Sequence, residues 1–122
     1  NIPRFAASLR AMPELRALYF PDDESEQADG RPRSEADLAM RFAAKEAAAK
    51  ALGVPPGLEH RDCILRADPD GRPWIEARGS VHDAASALGV RRWHVSMSQD
   101  GTVATAYVVA DGPASLDAPE IP

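Results

Sequence analysis

Glu46 and Lys50 stand four residues apart in the segment Arg41-Phe42-Ala43-Ala44-Lys45-Glu46-Ala47-Ala48-Ala49-Lys50. On a helix that spacing puts them on one face, with Arg41 and Lys45, also four apart, on a neighbouring one. A helix bearing one carboxylate and nearby cations can hold both a metal and a phosphate. The same letters have a plainer reading. Glu-Ala-Ala-Ala-Lys is an excellent helix former with one supporting ion pair, worth a few tenths of a kcal/mol.

The remaining polar constellations are weaker. In Trp93-His94-Val95-Ser96-Met97-Ser98-Gln99-Asp100, alternation sets His94, Ser96 and Ser98 on one face of a strand and Val95 and Met97 on the other. No Gly-x-Ser-x-Gly turn surrounds either serine, so the solvent side of a strand accounts for them. His60, His82 and His94 lack zinc-ligand spacing, and Cys63 is the one cysteine. No glycine-rich phosphate loop is present, and Trp74 and Trp93 read as core. Arg4, Arg10 and Arg16 are six apart, so each step along one helix rotates about 240°. Pro13 also interrupts that helix. The three do not form a stripe unless the chain bends between them.

The elements that must position these residues follow from periodicity and caps. Residues 2–12 read as a short helix, with Ile2, Phe5 and Leu9 at helical spacing. A further helical turn follows around Leu15, Leu18, Tyr19 and Phe20. Residues 21–33, polar and containing Gly30 and Pro32, are expected to form a mobile loop. Ser34 is placed to cap a helix running to Leu52 and stopped by Gly53 and Pro55-Pro56. Cys63-Ile64-Leu65 and Trp74-Ile75-Glu76-Ala77 read as strands about the turn Asp68-Pro69-Asp70-Gly71-Arg72-Pro73. Ser80 is expected to cap a helix ending at Gly89. Residues 93–98 and 102–110 read as a second strand pair turning at Asp100-Gly101. Helices first and antiparallel strands after them make an α+β domain.

The chain has 122 residues, the size of one domain. Such a domain buries roughly two thirds of the surface its unfolded chain exposes, enough for one real core. The net charge of -5 argues against nucleic-acid binding. No apolar run approaches the ~20 residues that span a bilayer. A single cysteine suits a reducing compartment, and a cytoplasmic location is the expectation. The charge is uneven. Residues 1–20 hold Arg4, Arg10 and Arg16 against Glu14, whereas residues 21–37 hold seven acids against Arg31 and Arg33. A basic start can meet an acidic partner.

Taken together and in order, these segments resemble the holo-acyl-carrier-protein synthase family, the short trimeric 4'-phosphopantetheinyl transferases. The resemblance is carried by Arg-Phe-Ala-Ala-Lys-Glu-Ala at 41–47 with Lys50, by Asp70-Gly71-Arg72-Pro73 in a hairpin, by Trp93-His94-Val95-Ser96-Met97-Ser98, and by the opening Ile2-Pro3-Arg4-Phe5. It implies a phosphopantetheinyl transferase-like fold, with an antiparallel sheet packed on a long helix. It also implies transfer of 4'-phosphopantetheine from coenzyme A to a serine of acyl carrier protein, releasing adenosine 3',5'-bisphosphate. Glu46 then matches the magnesium-binding carboxylate, which can also help deprotonate the serine, and Lys50 the lysine on the phosphates. Arg41 and Lys45 match positions near the coenzyme A phosphates. Pro73, Ser96, Ser98 and Gln99 match segments that border the coenzyme pocket from a neighbouring subunit. Arg4, Arg10 and Arg16 resemble the arginines that dock the acidic carrier protein. Mg2+ is the implied cofactor and a homotrimer the implied assembly, with neither nucleic acid nor membrane as a partner.

Two departures keep an alternative open: a relative that binds coenzyme A or carrier protein without transfer. The family's first strand carries a Gly-x-Asp element whose aspartate is the other main metal ligand, and the chain starts after that point. Gln99 stands where the family usually has histidine, and glutamine does not titrate near neutrality. The domain is therefore expected to span 1–111, lacking its first strand, with 112–122 as a disordered tail. A plain α+β interaction domain, with the helix motif arising by chance, is the remaining reading.

Overall fold

A computed structural model describes residues 1–113. The tail expected over 112–122 lies, from residue 114 onward, outside the described residues.

Asn1 opens helix α1 (Ile2–Ala11), its side-chain oxygen accepting the Arg4 N–H at 3.0 Å. Pro13 ends α1 and starts α2 (Glu14–Tyr19), as a proline that cannot continue a helix but fits a first turn should. After the four-residue α3 (Asp22–Ser25) comes the long helix α4 (Glu35–Ala51). Ser34 accepts the Asp37 N–H at 3.1 Å, and Gly53, at φ 79°, ends the last turn. A 3-10 turn (His60–Asp62) leads into β1 (Cys63–Ala67) and β2 (Pro73–Ala77), then α5 (Gly79–Leu88), β3 (Arg92–Asp100) and β4 (Val103–Asp111).

The strands form two separate antiparallel pairs, not one sheet. β1 pairs with β2 through Leu65 opposite Ile75, and β3 pairs with β4 through Val95 opposite Val108. β2 and β3 pack together without a ladder between them, and α4 lies across both pairs. The alanines of α4 explain how it lies so close. Ala44 and Ala48 are buried against Cys63, Leu65, Ile75, Val81 and Ala85, with Trp93, Val95, Met97, Ala106 and Val108 closing the other side. A smaller cluster of Leu9, Phe20 and Leu38 seats α1 and α2 on the other flank of α4. The Ile2 N–H donates to the Thr102 carbonyl at 2.7 Å and ties α1 to the β3–β4 turn. Among the described residues no helix is long and apolar enough to cross a membrane.

Two local expectations are corrected. Ser80 does not cap α5; it lies inside the first turn and donates from both N–H (2.8 Å) and Oγ (2.6 Å) to Asp62 Oδ2. The capping carboxylate therefore arrives from the 3-10 turn. Gly79 makes room for it, because a Cβ there would meet Asp62 Oδ2 at 2.7 Å.

The second correction concerns residues 21–33, which are anchored at their start and not free. Glu24 is fully buried, and Glu26 and Pro32 form a bridge across the loop. Next door, Asp23 Oδ2 accepts from Arg66 Nη2 and Arg78 Nη2, both at 2.8 Å, and Glu76 bonds the same two guanidiniums. The two guanidinium hydrogen bonds lower the Asp23 pKa to about 2, from an ordinary 3.8. A folded-state pKa below the unfolded one means stability that is complete above about pH 4 and lost as pH falls toward 2. Asp23 is half exposed, so screening limits its worth to about 1 kcal/mol or less. Asp23→Asn is accordingly expected to lower the melting temperature slightly near neutrality. Melting curves across the acid range should show the gap from the parent closing between about pH 4 and pH 2. A gap that stayed constant would show that Asp23 contributes no pH-dependent stability.

Candidate functional site

Glu46 and Lys50 share a face of α4, yet they do not bond each other. Among the described residues neither takes part in an ion pair or a side-chain hydrogen bond. Both line a cavity of about 350 Å³, with Tyr19, Phe42, Ala49, Val54 and His60. Glu46 also borders a second cavity of about 390 Å³, with Asn1, Arg4, Phe5, Ser8 and Phe42. It stands half-buried on the ridge between the two. The carboxylate and the ammonium are thus uncommitted and face one space, which is what binding a charged ligand requires.

Arg41 and Lys45, expected beside phosphates, are turned inward instead. The side chains of Lys45 and Glu24 are 0% exposed, with Lys45 Nζ 2.6 Å from Glu24 Oε1. Arg41 Nη1 lies 3.3 Å from Glu24 Oε2, and Arg41 Nε 2.9 Å from Asp37 Oδ1. The outer edge of β1, which pairs with no other strand, completes the set. The Leu65 N–H donates to Glu24 Oε2 at 3.0 Å, Arg41 donates to the Leu65 carbonyl, and Lys45 donates to the Cys63 carbonyl. Three charged side chains thereby satisfy a bare strand edge that would otherwise be left unpaired beneath α4. Burial lowers the Lys45 pKa, and the Glu24 carboxylate opposes that shift. Placing Lys45 on a coenzyme phosphate would strand Glu24 in the interior without its partner, and neither Arg41 nor Lys45 lines a cavity that Glu46 borders.

The other expected residues scatter. Arg4 is exposed and lines the cavity beside Glu46. Arg10 is exposed but pairs with Glu35 at 2.8 Å, and Arg16 is half-buried in the last turn of α2. The bend at Pro13 separates Arg16 from the other two. Ser96 and Ser98 stand on the outer face of β3 with His94, as alternation requires. Gln99 Nε2 donates to the Gly101 carbonyl at 3.1 Å, and Pro73 begins β2. None of Pro73, Ser96, Ser98 and Gln99 lines either cavity that Glu46 borders. The outer β3–β4 face also exposes Val103, Val109 and Tyr107, the last 72% accessible.

Sequence reasoning missed His60 and its aromatic neighbours. His60 stacks on Phe42 (centroids 5.6 Å, interplanar angle 20°) and meets Tyr19 edge-on at 5.7 Å. Burial lowers its pKa, with Glu46 opposing and Lys45 adding to the shift, which favours the neutral imidazole. No spacing rule links position 60 to 46 and 50; only the turn of the chain after α4 does. Val54, in the same wall, adopts φ 48°, a left-handed backbone that β-branched residues avoid and that costs about 1–3 kcal/mol. Cys63 is no nucleophile: burial pushes its thiol up to about 12.

A family model described as the 4'-phosphopantetheinyl transferase superfamily matches residues 1–110. The chain is similar to the holo-acyl-carrier-protein synthase of Salinispora arenicola, 49% identical over 110 residues that cover 90% of each chain. It is similar to that of Micrococcus luteus, 50% identical over 113 residues, covering 91% of this chain and 85% of the relative. Its fold matches the crystal structure of the Helicobacter pylori holo-acyl-carrier-protein synthase in complex with coenzyme A. The TM-score is 0.76 at 25% identity, over 90% of this chain and 93% of that one.

Proposed function

The chain belongs to the 4'-phosphopantetheinyl transferase superfamily, among the holo-acyl-carrier-protein synthases that move 4'-phosphopantetheine from coenzyme A to a carrier-protein serine, and from that premise we propose that Glu46 and Lys50 carry the transfer. One observation supports this above the rest: two opposite charges four apart on a helix leave each other unpaired and line one cavity.

In the reaction the serine oxygen bonds to the phosphorus that carries the pantetheine arm. The bond from that phosphorus to the bridging oxygen breaks, and adenosine 3',5'-bisphosphate leaves with the electron pair. Glu46 takes the serine proton, directly or through a water. Lys50 sets its ammonium beside the leaving phosphate, where negative charge grows. A divalent cation also fits Glu46. Among the described residues no group of three or more His, Cys, Asp or Glu side chains could hold a metal. Magnesium, however, binds through one or two carboxylates, with phosphate and water oxygens supplying the rest. When bound, it would neutralise charge on the diphosphate.

Arg4, exposed beside Glu46, would meet an acidic carrier surface, with Arg10 farther along α1 and Arg16 beyond the bend. The domain is read as residues 1–111. The outer face of β3–β4, with Ser96, Ser98, Val103, Tyr107 and Val109, suits contact with a second copy in a trimer. That contact would bring Pro73, Ser96, Ser98 and Gln99 to a neighbour's coenzyme. Arg41 and Lys45 support the helix from beneath.

Loading of an apo carrier protein from coenzyme A, followed by mass spectrometry, tests the reading. Chelating divalent metal is expected to slow loading by about 100-fold or more, and restoring magnesium to recover it. Undiminished loading in chelator would remove the metal role from Glu46.

A further inference from the structure

We infer that Glu24, Lys45 and Arg41 are positioning residues for the transfer: from beneath α4 they fix the rotation of that helix about its axis, and so hold the Glu46 carboxylate on the ridge between its two cavities. The inference rests on the reading of Glu46 as the group that takes the serine proton.

Glu46 has no ion pair or side-chain hydrogen bond of its own among the described residues, so the backbone of α4 sets its place. The core face of that helix is built from Ala44 and Ala48. Their methyl groups pack closely, but dispersion contacts have little direction and resist a turn of the helix weakly. A turn of about 20° carries a side-chain tip, about 5–6 Å from the helix axis, through about 2 Å. A misplacement of about 1 Å can cost about 100-fold in rate. Something other than the alanines must therefore specify the rotation.

The charged cluster does so. Lys45 precedes Glu46 by one residue, about 100° around the helix. Its Nζ lies 2.6 Å from Glu24 Oε1, donates to the Cys63 carbonyl and sits 5.2 Å from the centre of the buried Phe20 ring. Arg41, one turn earlier on the same side, reaches Glu24 Oε2 at 3.3 Å and the Leu65 carbonyl. Glu24 is held in its turn: the Leu65 N–H donates to Oε2 at 3.0 Å, and Arg33 Nε donates to its backbone carbonyl at 2.6 Å. Hydrogen bonds are directional, and buried ones cannot be exchanged for water. These run from α4 to β1 and to the turn carrying Glu24, so they tie the helix to two outside elements at one rotation. Apolar side chains of similar volume can match the stability of a buried ion pair. They cannot supply its direction, and this difference separates positioning from support.

The double change Glu24→Met with Lys45→Met keeps the volume and removes the directed bonds. Assayed for carrier loading well below its melting temperature, it is expected to lose about ten-fold or more in kcat. KM for coenzyme A and the affinity for adenosine 3',5'-bisphosphate should stay within about three-fold of the parent's, because binding tolerates a displacement that proton transfer does not. A kcat within about two-fold of the parent's overturns the inference. So does a comparable loss of affinity for the bisphosphate, which would put Lys45 on a phosphate. Should the double variant fail to fold, Lys45→Met alone decides, since Glu24 keeps Arg41 and the Leu65 N–H there. The same split is expected, with kcat about three-fold or more below the parent's, and an unchanged kcat sinks the idea. Carrier loading by Glu46→Gln separates the two levels. Lost loading in Glu46→Gln beside an unchanged kcat in the double variant refutes only the positioning role, whereas full loading by Glu46→Gln refutes the reading beneath it.

Discussion

Glu46→Gln should slow carrier loading by about 100-fold or more while leaving the melting temperature close to that of the parent. The amide has the size and shape of the carboxylate but neither binds a cation as well nor takes a proton. A positioned general base contributes about 10²–10⁴ in rate, and a metal carboxylate adds to that. Stability should hold because Glu46 supports nothing: it is half-buried on a ridge between two cavities, without an ion pair or side-chain hydrogen bond among the described residues. Surface changes of that kind stay within about 0.5 kcal/mol. Loading followed by mass spectrometry, together with a melting curve, reads both halves. A variant that loads at the parental rate would show that Glu46 is a helix-surface carboxylate and no more. A variant that unfolds would show that the ridge position bears structural weight not visible in its contacts.

Glu24→Gln is the converse case, a large loss of stability from a residue that touches no cavity next to Glu46. Replacing this carboxylate leaves Lys45, fully buried, without a counter-charge, and Arg41, nearly as buried, with Asp37 alone. Breaking a buried ion pair from one side costs about 3–5 kcal/mol, a large part of the ~5–15 kcal/mol that holds an ordinary domain together. Urea denaturation should show a midpoint far below the parent's. The double change Glu24→Met with Lys45→Met should recover much of the loss, because well-packed apolar groups can replace a buried pair. A single variant as stable as the parent would mean that the ammonium finds another partner or leaves the interior. Asp23→Asn, one residue away, makes the contrast sharp. Two adjacent acids, one fully buried and one half exposed, should differ several-fold in their contribution to stability.

The same contrast separates what local chemistry announces from what it leaves open. Ser34 and Gly53 bracket α4 because capping and left-handed stops act over three or four residues, and so α4 is legible without its surroundings. The hairpins follow from alternation and from turns at Gly71 and Gly101, which are also local. Helical spacing of four puts Glu46 and Lys50 on one face before any packing is known.

Helical spacing treats Arg41, Lys45, Glu46 and Lys50 as similar surface charges; which of them reach a ligand depends on what packs against each side of α4. Lys45 goes inside because Glu24, 21 residues earlier, meets it there under the bare edge of β1. Glu46, one position on and about 100° around the helix, faces open space because α1 and the chain after Gly53 leave gaps on that side. His60 reaches the same space only through the turn at Gly53 and Val54. The acidic stretch 21–33 read as free chain because polarity is local, whereas the burial of one of its carboxylates depends on partners brought from elsewhere. Hydrogen bonds between neighbours in sequence form wherever the chain is, but a buried charge is tolerated only where the finished packing supplies its counter-charge. For that reason the longer helices, the hairpin turns and the candidate pair could be read from the order of residues, while the helical turn α3 and the division of α4 into a structural face and a cavity-lining face came from the fold.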